Sequence, residues 1–149
     1  MKVIFLDVDG VLNCESTEES IDGWTFVEDV MVDRVVNIVE RTGATIVLSS
    51  DWRMWWDSIS TKALRDKFAE KGVYVIERTP EYPYRDDLTR NKEINAYRGL
   101  HPEITHYVIL DDYWTFVGQN RKHFVKTNYL TGITDEDALR AINILNEGD

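Results

Sequence analysis

The sequence predicts an α/β protein with a doubly wound, mostly parallel central sheet that is covered by helices on both faces. Short apolar runs alternate with longer segments of helical periodicity, in the order βαβαβαβ, and the connections are short. This order favours parallel strands joined by helical crossovers. Three apolar runs end directly in polar residues, at Asp7, Ser49 and Asp111. The carboxyl ends of parallel strands are where such sheets bind ligands.

The first strand carries the strongest functional signal. Residues 3–6 are all apolar, as in a strand buried on both faces, and they run directly into Asp7, Asp9 and Gly10. The two-residue spacing points both carboxylates to one side of an extended backbone. Such a pair is stable when one carboxyl holds a proton or a cation lies between them, so we infer a functional site. A calcium loop is a poorer explanation, because the third acidic position and the later glutamate are missing.

Length and composition set the class of protein. The chain has 149 residues, of which 43% are hydrophobic and 30% charged, and we expect one globular domain over residues 1–149. No apolar run approaches the length of a membrane span. The single cysteine, Cys14, and the absence of a signal-peptide pattern after Met1 predict a soluble protein in a reducing, cytoplasmic compartment. The net charge of −10 argues against a broad surface for duplex DNA, although a local pocket for a polynucleotide end remains possible.

Apolar spacing locates the individual elements. The predicted strands are residues 3–6, 44–48, 73–76, 107–110 and 124–125. The predicted helices are residues 27–42, 60–72, 89–100 and a last helix that starts at the capping box of residues 134–137. Gly43 is the predicted stop of the first helix, and Ser60 and Thr89 are predicted N-caps. The Asp22-Gly23 pair predicts a loop or small hairpin over the end of the first strand, and two prolines make residues 77–87 a loop.

Four ordered motifs resemble those of the haloacid dehalogenase superfamily, in its phosphatase branch. They are Asp7-Val8-Asp9-Gly10 after the first strand, Ser49 after the second, a basic residue that opens a later helix, and Asp111-Asp112 after a further strand. The sequences of three segments resemble those of small phosphatase-like domains attached to polynucleotide kinases and RNA-repair proteins. These segments are VLSSDWR (47–53), RNKEI (90–94) and YVILDD (107–112).

This resemblance implies a role for each acidic residue. Asp7 would attack phosphorus and form an aspartyl phosphate, while Asp9 would act as the general acid and base. Mg²⁺ would be bound by the Asp7 carboxylate, the Asp9 backbone carbonyl and Asp111. Asp112 would orient another ligand or bind the metal through water.

The resemblance also implies a phosphate-binding set. Ser49 would donate a hydrogen bond to a phosphoryl oxygen, and Ser50 could take its place. The cation is either Arg90, which falls on the family's basic position in the RNKEI register, or Lys92, which is the more usual residue type.

The resemblance implies a magnesium-dependent phosphomonoester hydrolase, and the substrate is the least defined part. The intervals between the motifs leave no room for a cap domain, so we expect an open site that prefers a phosphate on a bulky molecule. A polynucleotide 3′-phosphate end is the leading candidate, ahead of phosphoproteins and mononucleotides. Trp52, Trp55 and Trp56 are expected to pack in the core or a lid, and stacking on a nucleobase is their alternative role.

The sequence is also compatible in part with two other functions. The first is a receiver-like signalling module, which also places phosphate on an aspartate. Receivers carry that aspartate after the third strand, whereas Glu77 and Arg78 follow the third strand here. The second is a catalytically silent phosphate-binding relative, and Asp9 argues against it.

Overall fold

The computed structural model describes residues 1–83 and 85–148 and shows a five-stranded parallel sheet and a separate two-stranded hairpin. The strands are β1 (Lys2–Leu6), β2 (Ser20–Ile21), β3 (Trp24–Thr25), β4 (Thr45–Leu48), β5 (Val75–Arg78), β6 (His106–Asp111) and β7 (Phe124–Lys126). The α-helices are α1 (Asp29–Thr42), α2 (Ile59–Ala69), α3 (Thr89–Leu100) and α4 (Asp135–Leu145), and two 3₁₀ helices cover Asp51–Trp55 and Gly118–His123.

The sheet has the order β5-β4-β1-β6-β7, so β1 lies at its centre. Residues along β1 alternate between two hydrophobic cores. Ile4 and Leu6 pack with the apolar faces of α1, α2 and α4, whereas Val3 and Phe5 pack with α3. Helices therefore cover both faces, and the described residues contain no cap. The predicted fold class is confirmed.

Several local predictions are confirmed. Gly43 ends α1 in a left-handed conformation with φ of 75°. Thr134 and Asp137 form the reciprocal hydrogen bonds of a capping box before α4. Asp22 and Gly23 both have positive φ in the turn between β2 and β3, which pair as a short hairpin.

Other local predictions were wrong in detail. Helix α2 is capped by Ser58, whose Oγ accepts a hydrogen bond from Thr61 N, because Ser58 has the extended backbone that a cap requires. Thr89 is the first residue of α3 and not its cap; its hydroxyl accepts from Asp86 N at 2.6 Å. Strand β5 starts at Val75, where pairing with Ile46 begins, two residues later than expected. The 3₁₀ helix after β4 was not predicted.

None of the helices in the described part of the chain combines the length and the apolar character that crossing a membrane requires.

Candidate active site

The register of the sheet brings three of the predicted site residues to one level. Leu6 of β1 pairs with Leu48 of β4 and with Leu110 of β6, and the next residues along these strands are Asp7, Ser49 and Asp111. Backbone hydrogen bonds continue through this level, from Asp7 N to Leu110 O at 3.0 Å and from Ser49 N to Leu6 O at 2.8 Å. These polar side chains therefore start from a rigid edge of the sheet.

A cluster of carboxylates lies at this edge. Asp7, Asp111 and Asp112 each offer an oxygen, and the three oxygens lie within 4.8 Å of one another. Asp7 and Asp111 are buried, and Asp112 is half-buried. Three carboxylate oxygens at this separation are the donor type that Mg²⁺ prefers, so the residues present fit a hard divalent cation.

Burial and mutual repulsion disfavour the ionised forms of these acids. Burial, and then the charge of Asp111, raise the pKa of Asp7 well above its ordinary value, while Arg90 opposes the shift. Burial raises the pKa of Asp111 to about 6, opposed by hydrogen bonds from the backbone and by Arg90. Burial also raises the pKa of Asp112. The cluster therefore requires protons or a cation for stability.

The Asp9 side chain is separate from this cluster. It is exposed, with Oδ1 accepting from Asn13 Nδ2 at 2.9 Å and Oδ2 accepting from Trp52 Nε1 at 3.2 Å. Asn13 also accepts from Gly10 N at 2.9 Å, so one amide holds both the turn and the carboxylate. The Asp9 carboxylate is thus held by Asn13 and Trp52 and is not one of the three clustered acids.

The two serines after β4 differ in their contacts. Ser50 Oγ accepts from Trp52 N at 3.2 Å and caps the 3₁₀ helix of Asp51–Trp55. Ser49 Oγ is buried and has no hydrogen-bond partner among the described residues. A buried hydroxyl without a partner is costly, and a ligand oxygen would satisfy it. Ser49 is therefore the serine available to a phosphate.

The two basic residues of α3 lie on different sides of the helix, because a spacing of two residues corresponds to about 200° of rotation. Lys92 is half-exposed and its Nζ pairs with Asp86 Oδ2 at 3.3 Å. Arg90 is buried, and its charge lowers the pKa of both Asp7 and Asp111, so it lies near the acidic cluster. The structure brings Arg90 to the site and does not bring Lys92.

Arg90 still has capacity to bind an anion. Its Nη2 bonds Asp51 Oδ1 at 3.1 Å, whereas Nε and Nη1 are buried without hydrogen-bond partners in the described part of the chain. The fully buried Glu93 pairs with Arg90, with its Oε1 3.7 Å from Arg90 Nη1. Glu93 also accepts from Arg53 Nη2 and from Tyr82 N.

Sequence reasoning missed four supporting residues: Asn13, Arg53, Glu93 and Thr127. Thr127 Oγ1 donates to Gly10 O at 2.7 Å, and Thr127 N donates to Asp111 O at 3.0 Å, so the end of β7 joins two motifs. Arg53 lies inside the VLSSDWR segment and Glu93 inside the RNKEI segment. A charged residue within a segment that resembles the family was the signal that could have identified each of them. Nothing local marked Asn13 or Thr127.

The tryptophans after Ser49 lie in different surroundings. Trp52 is buried and stacks on Phe26 with ring centroids 6.4 Å apart, in agreement with the expected packing role. Trp56 lies under the guanidinium groups of Arg65 and Arg78, at 4.1 and 5.1 Å from its ring centroid. Trp55 is 58% exposed.

The parallel sheet, the buried aspartate cluster and the ordered motifs define a haloacid dehalogenase (HAD) type of domain with a phosphatase-like site. A family model described as "HAD domain in Swiss Army Knife RNA repair proteins" matches residues 3–138. The chain belongs to this family. The matched region contains every residue of the cluster together with Ser49 and Arg90. Comparisons with curated proteins and with solved structures found no match.

Proposed function

We propose that the protein is a magnesium-dependent phosphomonoester hydrolase that works through an aspartyl phosphate on Asp7 and acts on nucleotide or polynucleotide 3′-phosphate ends. The observation that carries the proposal is the level shared by Asp7, Ser49 and Asp111, with Arg90 directed at the same cluster. The proposed nucleophile and hydroxyl donor thus start from neighbouring strand ends, and the cation lies near them. The family's association with RNA repair supports a phosphorylated nucleic-acid substrate.

The residues divide the reaction into two displacements. Asp7 Oδ attacks phosphorus, and the bond to the leaving oxygen breaks as Asp9 gives that oxygen a proton. Asp9 then takes a proton from water as the water attacks phosphorus, which releases inorganic phosphate and restores Asp7. Ser49 donates to a phosphoryl oxygen, and Arg90 offsets the charge that develops on the transferring group. When bound by Asp7, Asp111 and the Asp9 carbonyl, with Asp112 beside them, Mg²⁺ supplies further charge neutralisation.

The first test uses p-nitrophenyl phosphate with Mg²⁺ and with excess EDTA. We expect turnover with the metal and its loss on chelation. Asp7→Asn should abolish both turnover and phosphoenzyme, because an amide is a poor nucleophile. In Asp9→Asn the second displacement should slow more than the first, since nitrophenolate leaves without much help from an acid, and phosphoenzyme should accumulate. Equal turnover in EDTA, or near-normal rates in Asp7→Asn, would overturn the mechanism.

The substrate requires a separate comparison. We expect kcat/KM to be higher for a 3′-phosphorylated oligonucleotide than for the matching 3′-mononucleotide or a panel of sugar phosphates. A preference of about tenfold or more for a free sugar phosphate, which is more than 1 kcal/mol, would contradict the proposed substrate class.

A further inference from the structure

A small cleft lies next to the acidic cluster, on the β6 side. It is lined by Asp87, Tyr113, Trp114 and Thr115 and has a volume of about 180 Å³. The two rings meet edge to face, with centroids 5.5 Å apart and planes at 85°. Thr115 N donates to Asp87 O at 3.4 Å, which joins the loop before α3 to the loop after β6. The cleft thus has aromatic walls and two polar residues.

Two residues of the cleft are hydrogen-bonded through their backbone to Asp111 of the acidic cluster. Asp111 Oδ1 accepts hydrogen bonds from Tyr113 N at 3.0 Å and from Trp114 N at 3.4 Å. The Arg90 guanidinium, which faces the acidic cluster, lies 5.2 Å from the centroid of the Trp114 ring. A ligand whose phosphate contacts Arg90 would therefore have the Trp114 ring nearby.

Two cations lie beside the Trp114 ring, in a chain whose net charge is −10. The Arg85 guanidinium lies 5.4 Å from the Trp114 centroid. Arg85 and Arg90 both bond Asp51 Oδ1, at 2.9 and 3.1 Å, so one carboxylate holds two cations beside the indole. Cations next to an aromatic ring are the combination that binds single-stranded nucleic acid, in which bases stack and the backbone is neutralised.

We propose that this cleft binds the nucleobase of the nucleotide that carries the scissile phosphate, with the exposed Tyr113 ring as the stacking surface and the perpendicular Trp114 ring as the wall beside it. This inference rests on the proposed function and specifies how that function recognises its substrate. Tyr113 is 70% exposed, so its ring is accessible to a ligand. Asp87 accepts hydrogen bonds when ionised, and Thr115 donates or accepts them, so both can pair with the edge of a base.

The tryptophan-rich turn is a weaker base-binding surface than this cleft. The indole N–H of Trp52 is bonded to Asp9, and Trp52 itself is buried. Trp56 lies against two guanidinium groups, as Trp114 does, but it does not line the cleft. Trp55 is exposed but does not line the cleft. It is therefore a matched control for the loss of an exposed aromatic ring.

The test compares two 3′-phosphorylated oligoribonucleotides that differ only in whether the terminal nucleotide carries its base or is abasic. In the wild-type protein we expect kcat/KM to be about tenfold higher with the base, as expected for one stacked base. Tyr113→Ala and Trp114→Ala should bring this ratio close to one, and Trp55→Ala should keep it. Trp114→Leu, which retains apolar bulk, provides a second variant if Trp114→Ala does not fold.

A ratio near one in the wild-type protein, or a ratio lost in Trp55→Ala and kept in Tyr113→Ala, would overturn the proposal. Turnover of glycerol 2-phosphate, which has no base, reports on the hydrolase alone. Fluorescence anisotropy measures the binding of both oligonucleotides to Asp7→Asn with Mg²⁺. The difference in affinity between the two oligonucleotides reports on the cleft alone. Hydrolysis without base preference would thus contradict base binding in the cleft and support the hydrolase. Base-dependent binding without any hydrolysis would support base binding in the cleft and contradict the hydrolase.

Discussion

The Asp112 carboxylate occupies the space that a side chain at Gly10 would need. A Cβ built on Gly10 would lie 2.1 Å from Asp112 Oδ2 and 2.3 Å from its carboxyl carbon. Gly10 also has φ of +81°, which L side chains rarely adopt. The glycine of the first motif thus allows both the turn after β1 and the approach of the last aspartate.

Gly10→Ala should therefore weaken metal binding beyond its effect on folding. Gly43→Ala is the matched control, since Gly43 has φ of +75° and no atom within 4 Å of its ideal Cβ. We expect each variant to lose about 1–2 kcal/mol of stability from backbone strain. Only Gly10→Ala should also lose Mg²⁺ affinity, by about tenfold or more, measured by calorimetric titration. Equal Mg²⁺ affinity in the two variants would contradict this role of Gly10.

Trp52→Phe should impair the acid–base step selectively. Phenylalanine keeps a ring against Phe26 but removes the N–H that holds Asp9 Oδ2. We expect turnover of an alkyl phosphate to fall about tenfold, less than for complete loss of a general acid, with a stability loss of about 1 kcal/mol. Trp55→Phe is the control on the exposed side. If p-nitrophenyl phosphate and the alkyl phosphate slowed equally, Trp52 would not act through protonation of the leaving group.

Arg90→Ala and Lys92→Ala should differ strongly. Arg90 is buried and faces the acidic cluster, whereas Lys92 pairs with Asp86 on the other side of α3. We expect the Arg90 variant to lose about 2–4 kcal/mol of transition-state stabilisation and the Lys92 variant less than about 1 kcal/mol, measured as kcat/KM.

Glu93 is buried and loses a nearby cation in Arg90→Ala, although it keeps Arg53. Thermal unfolding of both variants therefore shows whether a loss of activity comes from a loss of stability. Arg90→Lys, which retains the charge, should recover part of the rate. Losses of less than about threefold in both alanine variants would place neither residue at the phosphate.

The stability of the metal-free protein should depend on pH through Asp111. Its pKa is raised to about 6, so the native state holds this proton more tightly than the unfolded chain does. The resulting stabilisation is present below the ordinary pKa and is lost as the pH rises through about 6. In EDTA, the melting temperature of Asp111→Asn should therefore rise relative to that of wild type as the pH increases from about 4 to 7.

Asp29→Asn is the control with the opposite sign. Lys67 lowers the pKa of Asp29. The melting temperature of Asp29→Asn should therefore fall relative to that of wild type as the pH rises from the acid range. A difference between Asp111→Asn and wild type that does not change with pH would show that Asp111 is not the titrating group.

The sequence by itself determined the sheet and the position of its site. Apolar runs and turn residues are local signals, so they locate β1, β4 and β6 and the polar residues that follow them. In a parallel sheet the strands share one direction, and their carboxyl ends must meet at one edge. The sequence alone therefore predicts that Asp7, Ser49 and Asp111 lie together.

Tertiary packing decided the choices that the motifs left open. Ser50 rather than Ser49 became a helix cap because the chain turned into a 3₁₀ helix, which no periodicity indicated. Arg90 rather than Lys92 faces the acids because Ile94 and Tyr97 pack on the sheet, with the Tyr97 ring 5.8 Å from that of Phe5. Residues four and seven positions after Arg90 share its side of the helix, so burying them rotates Arg90 inward and Lys92 outward. The rotation of a helix about its axis depends on the surface against which it packs, and only the folded chain supplies that surface.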